Sequence, residues 1–437
     1  MHSRFTLHHE RPTPGSIALH QAFDEQMLEI DGDIKAVVQV PGEEQWLLAI
    51  DSGFEFCVAR VHADLSLDRS FGAPGAGYFY DSFDPTGPGL NAVNQISWQD
   101  GKILVVGAFF DFDVDRIAIA RYHADGSPDL AFNGTGKCIV DLPHSPRRPG
   151  RLRNGSLHSG ISTPQVPVVQ ADGRLLLFFH EVDEQHRDGR AYLVRLLADG
   201  TLDRDFNQQG FAHVMFEGQQ LIAKGVVLQG SDILAYGATQ PGSDHNGHGV
   251  IARFDRHGHR DTTFNGSGFV VVGDQGNRTE LTQVVVDAQG GICAAGTCGS
   301  ELLVTQRSAD GSPAPDFNGG APLLVGLPFE VDAVKAMTVQ QDAFLLAVSA
   351  GTRGHKGVLV RLGREGLLDP GFADGAGYLM AEHESEYLAL SLAERGEIIA
   401  GGYVYQDGYY AWVRRFAADG GGTQRHSPRR NKRAGGR

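Results

Sequence analysis

The sequence predicts an all-β chain: a seven-bladed β-propeller of four-stranded antiparallel blades, closed by an N-terminal strand that completes the last blade. Three observations carry this expectation. A short phrase recurs at nearly fixed offsets, each interval holds four short apolar runs, and the final interval lacks one run that the N-terminus supplies.

The phrase is clearest in "RYHADGSPDLAFNGTGKCIV", Arg121 to Val140. Its phenylalanine recurs at Phe71, Phe132, Phe206, Phe264, Phe317 and Phe372, with spacings of 61, 74, 58, 53 and 55. Six residues earlier stands Leu65, Gly126, Gly200, Gly258, Gly311 or Gly366. Eleven earlier stands Arg60, Arg121, Arg195, Arg253, Gln306 or Arg361. Arg415 and Gly420 repeat the Arg-to-Gly offset once more, which makes seven units. Asp-Gly and Asn-Gly supply positive φ for tight turns. The phenylalanine is expected to wedge against a neighbouring unit, and the Arg/Asp column (Arg121 and Asp129, for instance) to form structural ion pairs.

Residues 268–307 show the strands of one unit. "GFVVV" follows the Phe-Asn-Gly turn, "LTQVVVDA" follows a polar loop, a Gln-Gly-Gly turn leads into "ICAAG", and "LLVTQR" comes last. Valine, isoleucine and leucine runs bounded by Gly, Asp and Asn are strand-and-turn chemistry, and no 3.6-residue period is sustained. Four antiparallel strands in a repeat of this length are the pattern of a propeller blade.

Unit seven holds three such strands (387–394, 397–404 and 410–416) and no apolar run after Gly420. At the other end of the chain, Phe23 leads into "DEQMLEI", which completes the seventh blade and removes an exposed sheet edge. The expected organisation is an N-terminal extension over 1–22, one propeller domain over 23–420 and a basic disordered tail over 421–437.

The segment "DGKILVVGAF…AIARYHADGSPDLAFNGTG" resembles the delta-60 repeat, a bacterial β-propeller family of unknown function. The resemblance covers residues 23–420 and departs at Gln306 and Ala314, which replace the Arg and Asp of unit five. It implies the fold and supplies no catalytic residues.

Composition narrows the function classes. A net charge of −15, near −21 once the six basic residues of 421–437 are set aside, argues against nucleic-acid binding. The four cysteines have no metal or disulfide spacing. The first residues show no apolar signal core, and no run of eighteen apolar residues predicts a membrane span. A cytoplasmic chain, or one exported without a signal peptide, is consistent with this. A monomer is expected.

Binding residues are expected on the face of the variable loops, where a rigid scaffold carries changeable surface. With the strands of a unit lettered a (innermost) to d, three of only seven lysines recur near the start of strand a: Lys35, Lys224 and Lys335. Gln95, Gln165 and Gln283 hold similar places, so a polar, partly cationic ring is expected at the channel mouth, suited to an anionic or carbohydrate-like ligand or to a protein. Asp111, Asp113 and Asp115 in "FFDFDVDR" alternate as oxygen ligands for calcium do, although Arg116 stands where an EF-hand needs glycine. His180, His186, His245, His248 and His355 collect in loops without fixed zinc spacing. The arginine-rich "HSPRR" occurs at both 144–148 and 426–430. The expected function is non-catalytic binding or scaffolding. The alternative is a metal-assisted hydrolase or lactonase at the channel mouth, which would require carboxylates and histidines to converge there; no Gly-x-Ser-x-Gly, P-loop or His-Glu-x-x-His motif is present.

Overall fold

The computed structural model describes residues 25–420 except 85–88, 111–114, 141, 143–167, 182–189, 240–246, 274–276 and 352–354. Those residues form twenty-eight β-strands and four 3-10 turns. The strands make five four-stranded antiparallel sheets and one eight-stranded sheet, in which the hairpin at Glu217–Gly218 joins units three and four. None of the described helical turns is long and apolar enough to cross a membrane.

Unit one shows the logic. Its strands Asp33–Gln39, Gln45–Asp51, Phe56–His62 and Tyr78–Asp81 pair in chain order. The second and third are buried almost throughout because other sheets cover both faces, hence their unbroken apolar runs. Strand a of each unit touches strand a of the next, except that unit three makes its contact with unit two through Leu175–Glu181 and Asp115–His123. Strand Asp33–Gln39 also touches Ser385–Leu392 of unit seven.

The run expected to complete unit seven is the strand Glu25–Asp31. It pairs antiparallel with Tyr409–Phe416, Glu25 opposite Arg414 and Met27 opposite Trp412, giving the order Glu25–Asp31, Tyr409–Phe416, Ile398–Tyr405, Ser385–Leu392. Leu28 and Ile30 join one buried cluster with Ile34, Trp46 and Leu48 of unit one and with Ile399 and Val413 of unit seven. At roughly 1.5–3 kcal/mol for each large side chain buried, this strand contributes several kcal/mol to that seam.

The repeated phrase is an interlock between units. In units one to four and six the arginine Nε donates to an aspartate eight residues on: Arg60–Asp68 at 2.8 Å, Arg121–Asp129 at 2.8 Å, Arg195–Asp203 at 2.7 Å, Arg253–Asp261 at 2.8 Å and Arg361–Asp369 at 2.7 Å. Each guanidinium lies 4.5–4.8 Å from the centre of its own unit's phenylalanine ring. Its Nη1 donates to a carbonyl of the following unit: Ala124, Ala198, Arg256, Ala309 and Ala418 in turn. Gln306 does the same to Arg364 at 2.9 Å, and Arg415 to Ala63 at 2.5 Å.

The glycine column follows from this stacking. Gly200, Gly258, Gly311 and Gly420 have φ between 80° and 89°, and a Cβ there would meet the preceding unit's phenylalanine ring at 2.5–2.7 Å. The site requires both positive φ and the absence of a side chain, and only glycine meets both. Leu65 stands at this position in unit one, buried with φ 65°.

Candidate ligand site at the strand bulges

Six innermost strands carry a β-bulge at one common position. Pairing skips Lys35, Asn94, Lys224, Thr282, Lys335 and Leu388 in units one, two, four, five, six and seven. An extra residue bends the strand and turns its side chain off the regular alternation. Lys35, Lys224 and Lys335 thus stand at the same bulge position of their strands. Gln95 and Gln283 lie one residue past that position, and Asn94 and Thr282 occupy it. The cause is the bulge itself, which consumes a residue that an alignment of apolar runs cannot assign. A signal for it was present: the strand-b glycines Gly107, Gly237, Gly296 and Gly402 stand beside the bulges, where a Cβ would meet a strand-a carbonyl at 1.8–2.0 Å.

Two residues before the bulge, three units carry a carboxylate: Asp33, Glu280 and Glu386. Lys35 Nζ lies 2.9 Å from Asp33, Lys224 Nζ 3.4 Å from Glu280 of the next unit, and Lys335 Nζ 3.4 Å from Glu386 of the next unit. Arg278 also pairs with Glu280. Burial acts to lower the Lys35 pKa, but Asp33, Asp51 and Glu386 outweigh it and hold the ammonium above its ordinary value. Each ammonium in the column thus has a carboxylate partner, and the mutual repulsion of a purely cationic ring is relieved.

Glu386 is the hub of the best-built part of this face. It is 7% exposed, accepts from the Ser349 hydroxyl at 2.5 Å, and receives the Tyr403 hydroxyl as well. Burial, followed by the nearby Glu386 and Asp33 charges, pushes the Tyr403 phenol well up, so it stays a donor at neutral pH. The Tyr403 ring meets Tyr409 edge-on at 5.2 Å, and Tyr409 meets Tyr405 at 5.1 Å. Tyr405 and Tyr409 are 41% and 55% exposed. Between units five and six, Thr282 donates to the Val334 carbonyl at 2.8 Å and Gln283 to the Lys335 carbonyl at 2.9 Å.

The other expected site residues are dispersed or undescribed. Asp111, Asp113, Gln165, His186, His245 and both HSPRR segments lie outside the described residues. Asp115 opens its strand opposite Phe110, and His180 pairs with Ala191. His248 and His355 sit in units four and six; the former's backbone N–H is held by Thr239, and the latter's carbonyl accepts from Ser385. Among the described residues no three His, Cys, Asp or Glu side chains converge as a metal site. The four cysteines are buried and unpaired with one another, and burial pushes the Cys57 and Cys293 thiols up.

Residues 99–132 and 188–206 match the family described as "Domain of unknown function (DUF5122) beta-propeller". No curated protein matches the chain. Among solved structures, the polysaccharide lyase Uly1 is similar at 11% identity over 90% of this chain and 91% of its own, with a TM-score of 0.45. Prolyl oligopeptidase B from Galerina marginata, in its apo form, is similar at 11% identity over 88% of this chain and 47% of its own, with a TM-score of 0.40. The four-stranded antiparallel sheets and the two matched stretches together make this an all-β chain of the β-propeller kind.

Proposed function

We propose that the seven units close into a single seven-bladed ring, as the delta-60 resemblance implies, and that the ring is a non-catalytic binding module whose bulge face seats a polyhydroxylated, carbohydrate-like ligand. Closure is supported by the hydrogen bond from Arg415 to the Ala63 carbonyl, which continues across units seven and one the series made between all earlier neighbours. The shared cluster of Leu28, Trp46, Ile399 and Val413 supports it too.

The observation that carries the ligand class is the join of paired charges to exposed rings. Lys35 and Lys335 both act on Glu386, which is bonded to Tyr403, whose ring leads to Tyr409 and Tyr405. Already paired, these ammonium groups gain little from a simple anion. Donors and acceptors set side by side suit hydroxyls, and open tyrosine faces suit the apolar side of a sugar ring.

Titration calorimetry with a panel of soluble polysaccharides tests this. One member should bind, with an affinity nearly independent of salt. Tyr409→Ala and Glu386→Gln should each weaken it about tenfold or more, the size expected for a well-placed contact of about 1.4 kcal/mol. Binding of inorganic phosphate instead, fading as salt rises, would overturn the ligand class.

A further inference from the structure

At the seam of units one and seven, beside their a–b turns, a cleft of about 420 Å³ including its open mouth is lined by Glu43, Glu44, Trp46, Glu394, Arg395 and Arg415, among others. Two buried donors on its walls have no partner: the indole N–H of Trp46, a residue only 1% exposed, and Nε–H of Arg415. Arg415 Nη1 meets the Ala63 carbonyl as its counterparts meet the following unit, but its Nη2 turns to Glu397 at 2.7 Å, which theirs do not. In five other units the same Nε donates to an aspartate eight residues on. Eight residues after Arg415 stands Thr423, at the start of a segment with six basic residues and no acid.

We propose that this cleft is the seat of the chain's own C-terminal segment, residues 421–437. Thr423 takes the place the aspartates hold, and its hydroxyl and neighbouring carbonyls accept from Arg415 Nε and Trp46 Nε1, which a buried donor requires. Arg425, Arg429, Arg430, Lys432 and Arg433 then run over Glu43, Glu44 and Glu394. Charge complementarity draws the segment in, and salt weakens its hold. The segment thereby covers the one seam whose arginine lacks its aspartate.

Lys432 is the only lysine of that segment, which makes the test specific. The full-length chain is treated with a zero-length carbodiimide, which joins an ammonium only to a carboxylate in contact, and the products are mapped by mass spectrometry. Lys432 should link chiefly to Glu43, Glu44 or Glu394, with a severalfold lower yield in high salt. The chain carrying Glu43→Gln, Glu44→Gln and Glu394→Gln should lose these links while keeping its melting temperature. In a mixture of isotopically light and heavy chains the links should be light–light and heavy–heavy. Links to carboxylates outside the cleft, an absence of links from Lys432, or mixed light–heavy products would each overturn the proposal.

Discussion

Arg195 gives the interlock its sharpest test, because unit five already contains the natural double substitution. Arg195 and Asp203 are 2.7 Å apart with side chains 5% and 3% exposed, and Arg195 also bonds the Arg256 carbonyl of the next unit. Unit five has Gln306 and Ala314 in these places and keeps the inter-unit bond, Gln306 Nε2 to the Arg364 carbonyl at 2.9 Å. Arg195→Gln alone strands a buried carboxylate whose remaining cation is Arg174 Nε at 3.4 Å, and should cost about 3 kcal/mol, the low end for breaking a buried pair. Asp203→Ala alone strands the guanidinium and should cost about as much. The double variant recreates the unit-five arrangement, so the two costs should fall short of adding by about 2 kcal/mol. Urea denaturation of the four proteins, followed by circular dichroism, gives the cycle directly. Additivity within about 0.5 kcal/mol would refute the claim that the arginine and aspartate act as one unit.

Two glycines with the same backbone conformation separate stacking from turn geometry. Gly258→Ala places a Cβ 2.6 Å from the Phe206 ring, whereas Gly266→Ala at φ 72° meets nothing within 4 Å. The second should cost about 1–2 kcal/mol from the left-handed conformation alone, and the first at least about 2 kcal/mol more, as an overpacked site would; equal destabilisation would contradict the stacking role. Acid should weaken the fold as a set of turns. Asp64, Asp125 and Asp310 are held below the usual carboxylate range chiefly by the hydroxyl of the serine two residues on, Asp261 by Thr263, and Asp199 by the Thr201 backbone N–H. A carboxylate with a lowered folded pKa stabilises the fold above its unfolded value and stops doing so as pH falls through the folded one. Thermal stability should therefore hold above about pH 5 and drop below about pH 4; a drop already present near pH 6 would point to histidines instead. If Asp111, Asp113 and Asp115 hold calcium, added calcium should raise the melting temperature through binding to the folded state, and Asp113→Ala should abolish the rise.

Much of the fold could be read in the sequence because the repeat writes it in local chemistry. Arg121, Gly126, Asp129 and Phe132 keep fixed offsets, and each offset has a geometric cause: the ion pair, the ring stack and the tight turn. The fourth strand of the unit-seven sheet was also legible, since unit seven lacks an apolar run and "EQMLEID" alternates as a half-buried strand must. The candidate site was less so. The lysine column was visible from composition and position, but its one-residue offset from Gln95 and Gln283 comes from bulges that apolar runs do not mark. The partners Glu280 and Glu386 went unnoticed because each pairs with a lysine of the preceding unit, more than fifty residues back in the chain. Tyr403, Tyr405 and Tyr409 read as ordinary strand residues, and only the pairing of strands Ile398–Tyr405 and Tyr409–Phe416 brings them together.

Ring closure is the claim on which the rest depends, and one engineered bond tests it most directly. Glu25 and Arg414 are direct partners across the first and last strands and form a partly exposed ion pair, Arg414 Nε to Glu25 Oε2 at 3.1 Å. Directly opposed residues of an antiparallel pair lie within the Cα separation that a disulfide spans. The chain carrying Glu25→Cys and Arg414→Cys should form that disulfide within a single molecule under mild oxidation, as peptide mapping would show, and should melt at a higher temperature oxidised than reduced. A pair that stays reduced, or that links only one molecule to another, would contradict a ring closed by its N-terminal strand.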